Sequence, residues 1–268
     1  FILIYFHKKI ASILNIYDKP DQIRKFHKSE TPITGGTLVL FNLIIYSIYF
    51  SYNNLNDVNI SYFFLNTYEF SIFALTALSF YLIGIYDDKF NISSNKKFLL
   101  TIILILPGII LVDDFTIQQI RLSFTNYKLD LNNFSITWTI LCFLLFINAY
   151  NMFDGINLQA SFYILFLSFV ILLFSKLDLM LLTIIISISY FMFLNSKSKS
   201  FFGDGGTLML SYIFSVLFIK TYNINNLLFS DQIVLVMILP GFELIRLFTI
   251  RILKKKNPFK PDRNHIHH

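Results

Sequence analysis

Apolar positions along this chain fall in long unbroken runs, without strand-like alternation or a heptad repeat. Runs near 36–52, 68–86, 97–112, 136–150, 160–176, 178–195, 206–221 and 231–250 carry few charges. A helix needs about 20 mainly apolar residues to cross the hydrocarbon core, within a range of roughly 17–25. The pattern therefore predicts an all-α, polytopic transmembrane helical bundle of about eight full spans. The opening FILIYF is too short to span and no small-residue cleavage site follows it, so it reads as the end of a truncated N-terminal helix. Residues 1–268 read as a single integral membrane domain cut at both ends, without internal repeats.

Polar segments alternate between two sides. The loops 8–35, 87–96, 151–159, 196–205 and 251–268 share one side; 53–67, 113–135, the turn at 176–178 and 222–230 share the other. With residues at span ends given to the nearer side, the first side holds 18 of the 22 Lys and Arg; the second holds only Arg121, Lys128, Lys176 and Lys220. Cationic loops stay in the cytoplasm, which orients the chain. Misplacing one span would scramble the segregation, so the charge split supports the span count as well.

Composition agrees. The chain is 55% hydrophobic and 14% charged, with a mean hydropathy of +0.62. A soluble domain would be about a quarter charged, which argues against one large soluble core. The net charge of +6 lies beside the apolar runs, as in a membrane protein, and no nucleic-acid partner is inferred from it. Cys142 stands alone inside an apolar run, so no disulfide framework exists.

The chemistry-bearing residues gather in five stretches on the cationic side. Asp18 to Gly36 reads DKPDQIRKFHKSETPITGG. It is either a basic segment drawn to anionic lipid or, through Arg24, Lys25 and His27, a phosphate contact. Asp87 and Asp88 end one span, where the helix dipole favours cations. Either Lys89 neutralises a solvated acidic turn, or a hydrated Mg2+ does so together with substrate phosphates. Asn148, Asn151 and Asp154 recur at i, i+3, i+6 and fall on roughly one helix face, in place of a plain Asn/Gly helix stop. Gly203-Asp204-Gly205-Gly206-Thr207 opens a span, where backbone N–H groups can meet an anion and Asp204 a bridging cation. Last comes NPFKPDRNHIHH: Arg263 offers a planar fork for phosphate, and His265, His267 and His268 can donate, shuttle protons or bind metal.

In this order, RKFH…TPITGG, the DD pair with its following KKF, NAYNMFDG, FFGDGGT and PDRNHIHH resemble the polyprenyl-phosphate N-acetylhexosamine-1-phosphate transferases. That family includes the phospho-MurNAc-pentapeptide transferases of peptidoglycan synthesis. The match runs from about Asp18 to His268. The resemblance implies transfer of a sugar-1-phosphate from a UDP-sugar to undecaprenyl phosphate, with release of UMP. It also implies Mg2+ (or Mn2+ in its place) and a cytoplasm-facing site in the bacterial inner membrane. The partners would be the polyprenyl phosphate lipid, the UDP-sugar and the bilayer, with a homodimer as a further expectation. The PDRNHIHH ending looks like the branch that transfers GlcNAc or a related HexNAc.

By the same resemblance, Asp204 is the leading metal ligand, with Asp88 and Asn151 beside it. Asp87, Asp88, Asp154, His265, His267 and His268 would act in catalysis. Lys25, His27, Lys97, Asn148, Asn151, Gly203 and Arg263 would bind substrate. The family commonly carries a second glycine where Leu158 stands, and its members begin with a complete first helix and continue past HIHH.

Two other readings fit less of the chain. An intramembrane Mg-dependent prenyltransferase needs two Asp-rich motifs with carboxylates four apart, whereas NMFDG supplies one Asp. A transporter places ionisable groups near the midplane, whereas these runs are almost free of charge at their centres; Glu69 and Glu243 lie nearer the ends.

Overall fold

The computed structural model describes residues 2–18, 30–56, 61–125, 127–224 and 228–255. In chain order its elements are α1 (Ile2–Leu14), β1 (Tyr17–Asp18), β2 (Thr31–Pro32), α2 (Gly35–Leu55), α3 (Thr67–Phe90), α4 (Ser94–Leu111), β3 (Gln119–Arg121) and β4 (Lys128–Asp130). There follow α5 (Ser135–Phe153), α6 (Gln159–Phe174), α7 (Leu179–Asn195), α8 (Gly203–Ile224), α9 (Ser230–Val236) and α10 (Ile238–Leu253). The protein is an all-α polytopic membrane bundle; among the described residues its strands form two short antiparallel ribbons, β1–β2 and β3–β4, inside connecting segments.

Helices α2, α3, α4, α5 and α8 are each long and apolar enough to cross a bilayer. Helices α6 and α7 are apolar but shorter, at 16 and 17 residues. The run expected as one span at 231–250 is broken: α9 and α10 meet at a 68° bend. Pro240 supplies the cause. It has no N–H for the carbonyl of Val236 and its ring crowds that group. The Val236 carbonyl instead accepts a hydrogen bond from the Tyr163 hydroxyl of α6 at 3.0 Å.

Helix α8 is the axis of the bundle, with 89% of its apolar window buried inside the protein. Lipid gives helices no hydrophobic reason to associate, so close backbone approach and van der Waals packing must do it. Glycines permit that approach here. A Cβ on Gly84 of α3 would lie 2.4 Å from the Gly205 Cα, and one on Gly36 of α2 would lie 2.6 Å from the Gly206 Cα. Farther along, the Tyr212 ring of α8 stacks on Phe73, Phe80 and Phe143 at 5.9, 5.1 and 6.0 Å. Large apolar side chains such as Ile48, Leu75 and Leu173 are exposed on the outside, where lipid replaces water.

Long-range ion pairs gather at the two ends of the bundle. At one end, buried Lys220 of α8 pairs with Glu69 of α3 and lies 3.3 Å from Asp114. At that end too, Asp178 caps α7 and accepts hydrogen bonds from Ser61 and the Tyr62 amide at 2.8 and 2.7 Å. The Arg121 guanidinium there lies 4.1 Å from the centre of the Tyr222 ring. The other end collects the starts of α2, α4, α6 and α8 and the ends of α3, α5 and α7. This is the alternation expected from the apolar runs.

Candidate active site

The site is built where α8 begins. The chain enters α8 through Gly203, whose φ of +67° suits glycine; a Cβ there would meet Ile33 and the Asp88 carboxylate. The Thr31–Gly36 segment is laced to the segment leading into α8. The Phe201 amide donates to the Pro32 carbonyl and the Gly35 amide to the Phe201 carbonyl, both at 3.0 Å. The Thr34 and Ser200 hydroxyls lie 2.8 Å apart. The first and fourth sequence motifs, over 160 residues apart, therefore form one wall.

Asp87 and Asp88 sit in the last turn of α3 and do different things. Both Asp88 oxygens face the exposed N–H groups of α8, accepting from Asp204 at 3.0 Å and Gly205 at 3.3 Å. A carboxylate at a helix N-terminus is favoured by the macrodipole, so Asp88 offsets at α8 the poor placement it has on its own helix. Asp87 is buried and accepts from the Ile92 amide just past the turn. Its other oxygen pairs with the Lys97 ammonium. The same ammonium reaches the Asp204 carboxylate at 2.7 Å. The cation that meets the acidic pair is thus Lys97, from the first turn of α4, and not the exposed Lys89.

From α5, Asn151 accepts the Thr207 hydroxyl at 2.8 Å, and its side chain also hydrogen-bonds the Asp204 carboxylate. Asp154 follows the end of α5. Burial, and then the nearby Asp204 charge, push its carboxyl up to about 7. Asn148 is placed differently from its i, i+3 partner: its amide donates to the Leu144 carbonyl of its own helix at 2.7 Å. Among the described residues, then, Asp87, Asp88, Lys97, Asn151, Asp154, Gly203 and Asp204 come together. Lys25, His27, Arg263, His265, His267 and His268 lie outside the described residues.

Two oxygen-bearing carboxylates converging on one ammonium form a position that suits a cation. The donors are hard oxygens, with the Asn151 amide oxygen nearby, which fits Mg2+ better than a softer metal. No three His, Cys, Asp or Glu side chains form a ready cage among the described residues. Mg2+ does not need one, since it is commonly held by one or two carboxylates plus substrate phosphates and water.

The family profile described as glycosyl transferase family 4 matches residues 70–222, which span α3 to α8 and hence these Asp, Asn and Lys positions. The chain belongs to glycosyl transferase family 4. Among its relatives, a probable undecaprenyl-phosphate N-acetylglucosaminyl 1-phosphate transferase of Bacillus subtilis is 26% identical over 272 residues, covering 97% of this chain and 71% of the relative. An undecaprenyl-phosphate alpha-N-acetylglucosaminyl 1-phosphate transferase of Salmonella typhi is 26% identical over 284 residues, covering 100% and 72%. One of that name from Thermotoga maritima is 25% identical over 267 residues, covering 97% and 76%. This family 4 chain is a multi-pass membrane transferase.

The loop after Asp154 is held by a residue the sequence reading passed over, Asn195 at the end of α7. Leu158 in that loop adopts φ +71°, the left-handed region that favours glycine. Its amide is held by the buried Asn195 side chain at 2.6 Å, and the Asn195 amide donates to the Ser200 carbonyl at 2.8 Å. Asn195 thereby joins the Asp154 loop to the segment that enters α8. It closes an apolar run and has no motif around it. An Asn in the last position of a buried helix, costly without partners, was the only available signal.

Proposed function

We infer that this family 4 transferase moves a HexNAc-1-phosphate, GlcNAc-1-phosphate first among them, from a UDP-sugar to undecaprenyl phosphate and releases UMP. The reading places the site on the cytoplasmic face of the bacterial inner membrane. The observation that carries it is the meeting of Asp87, Lys97 and Asp204 at the start of α8, on the side holding 18 of the 22 Lys and Arg. The relatives' activity supports the substrate classes.

Phosphoryl transfer relies on positioning and charge neutralisation more than on covalent chemistry by the protein. The acceptor phosphate is already an anion near pH 7, so the site has little deprotonation to perform. Asp204 would hold Mg2+ (or Mn2+) with Asn151 near it and with Asp87 in place of the expected Asp88, whose two oxygens accept from the α8 amides; the metal would supply charge neutralisation at the diphosphate. Asp88 fixes the α8 N-terminus and so the direction of the Asp204 side chain. Asn151 holds Thr207 and Asp204 together, which sets the distance between α5 and α8. Lys97 is the cation within reach of an anionic ligand. Asp154 closes the α5 side of the site.

The test is UMP release by the full-length protein in detergent, given undecaprenyl phosphate, Mg2+ and a panel of UDP-sugars. UMP formation with at least one UDP-HexNAc, dependent on both lipid and metal, is expected. No release with any UDP-HexNAc refutes the function. Release that persists in excess chelator refutes the metal assignment alone.

A further inference from the structure

Lys97 occupies a position that a metal would need. Its ammonium contacts Asp87 and Asp204 together, 2.7 Å from the latter. The Asp87 side chain is 6% exposed and that of Lys97 18%. A buried carboxylate left without a counter-charge costs several kcal/mol, so the ionised Asp87 carboxylate favours a resident cation, which the 30% exposed Asp204 side chain shares. A second cation on the same oxygens would repel the first. One can therefore bind only as the other leaves. A lysine suits such an exchange: its charge is a compact ammonium on a flexible four-carbon stem with freely rotating donors. Lys97 also springs from the first turn of α4, beyond the turn at Asn91–Ser93, and is the least buried member of the pair it makes with Asp87.

We propose that Lys97 is a resident cation that fills the Asp87–Asp204 site until a divalent cation enters with a diphosphate, whereupon its ammonium passes from the carboxylates to the diphosphate. The inference rests on the metal reading given above. Its consequence is a linkage. Without an anionic ligand, metal entry strands the Lys97 charge, and the metal binds weakly. With a diphosphate present, the displaced ammonium gains a partner, and metal and anion bind more tightly together than apart. Such coupling is reciprocal: each ligand raises the affinity of the other by the same factor.

The full-length protein in detergent is titrated with Mn2+, following free Mn2+ by electron paramagnetic resonance, with and without saturating UDP. Wild type should bind Mn2+ at least tenfold more tightly with UDP, after correction for Mn2+ chelated by free UDP. Lys97→Met should bind Mn2+ alone at least tenfold more tightly than wild type and lose most of the UDP effect. Lys97→Arg keeps a cation on the carboxylates and should hold Mn2+ alone no more tightly than wild type. It supplies the test even where the methionine variant fails to fold. Unchanged or weaker Mn2+ binding in Lys97→Met, or tighter binding in Lys97→Arg, overturns the exchange while leaving the metal site in place. No Mn2+ binding by wild type under either condition overturns the metal reading itself.

Discussion

Replacing Gly84 by alanine tests whether the α3–α8 approach sets the site. The added Cβ would lie 2.4 Å from the Gly205 Cα, the Gly205 amide nitrogen and the Asp204 carbonyl oxygen. All three are backbone atoms, so no side chain can turn aside. Ordinary contact begins near 3.4 Å, and the helices must part by about 1 Å. Asp88 now accepts from Asp204 and Gly205 at 3.0 and 3.3 Å. The same movement takes both beyond hydrogen-bond length. Two bonds to a charged acceptor, with the overpacking itself, put the loss of stability at about 3–5 kcal/mol. A misplacement of that size at a reacting centre costs about 100-fold in rate. The assays are UMP release and thermal unfolding in the same detergent. Gly241→Ala is the control, because a Cβ there meets nothing within 4 Å. Activity of Gly84→Ala within threefold of wild type, at an unchanged unfolding midpoint, would refute the reasoning.

Further outcomes are expected. Asp204→Asn should lose Mg2+-dependent UMP release while still inserting in the membrane and eluting as wild type; near-normal turnover removes Asp204 from the site. Lys220→Met strands the buried Glu69 carboxylate and should destabilise by about 3–5 kcal/mol, whereas Glu69→Gln/Lys220→Met should recover most of that; thermal unfolding of the three proteins decides it, and a double variant as weak as the single contradicts the pairing. Asn195→Ala gives up one buried and one half-buried hydrogen bond and should cost about 2–3 kcal/mol, with a fall in activity from the loosened Asp154 loop. Leu158→Gly should keep activity and raise the unfolding midpoint slightly, since relief of a left-handed leucine, about 1–2 kcal/mol, exceeds the entropy cost of glycine; a lowered midpoint shows that the leucine side chain matters more.

Much of this was readable in the chain because lipid makes one rule dominate. Every backbone group in the hydrocarbon must be satisfied within its own segment, so apolar run length reports a helix directly and Lys/Arg asymmetry reports its direction. The bend between α9 and α10 was also written in the chain, as Pro240, but run length alone hides it. Partner choice was less legible. Lys97 was read as a substrate contact from its motif, while its pairing with Asp204 depends on how α4 packs, 107 residues away in sequence. Asp87 and Asp88 are neighbours of identical chemistry, and only the rotation of α3 against α8 decides which faces the ammonium and which caps the helix. The Glu69–Lys220 pair likewise joins residues 151 apart. Spacing locates chemistry along one helix; it does not say which helix will stand opposite.

The burial of α8 bears on how the protein is made. A helix entering the bilayer from the translocon is judged by its exchange with lipid, and a lysine or aspartate near its ends counts against it. Helix α8 carries both Asp204 and Lys220 and offers lipid almost no surface. Lipid alone gives it little reason to enter. What it needs is already waiting in α3, synthesised more than a hundred residues earlier, which presents Glu69 for the lysine, Gly84 for the close approach and Asp88 for the first amides. Insertion of α8 and assembly of the catalytic end are thus one event, and a chain that fails to dock this helix is left with an exposed membrane lysine, a mark by which quality control can find it.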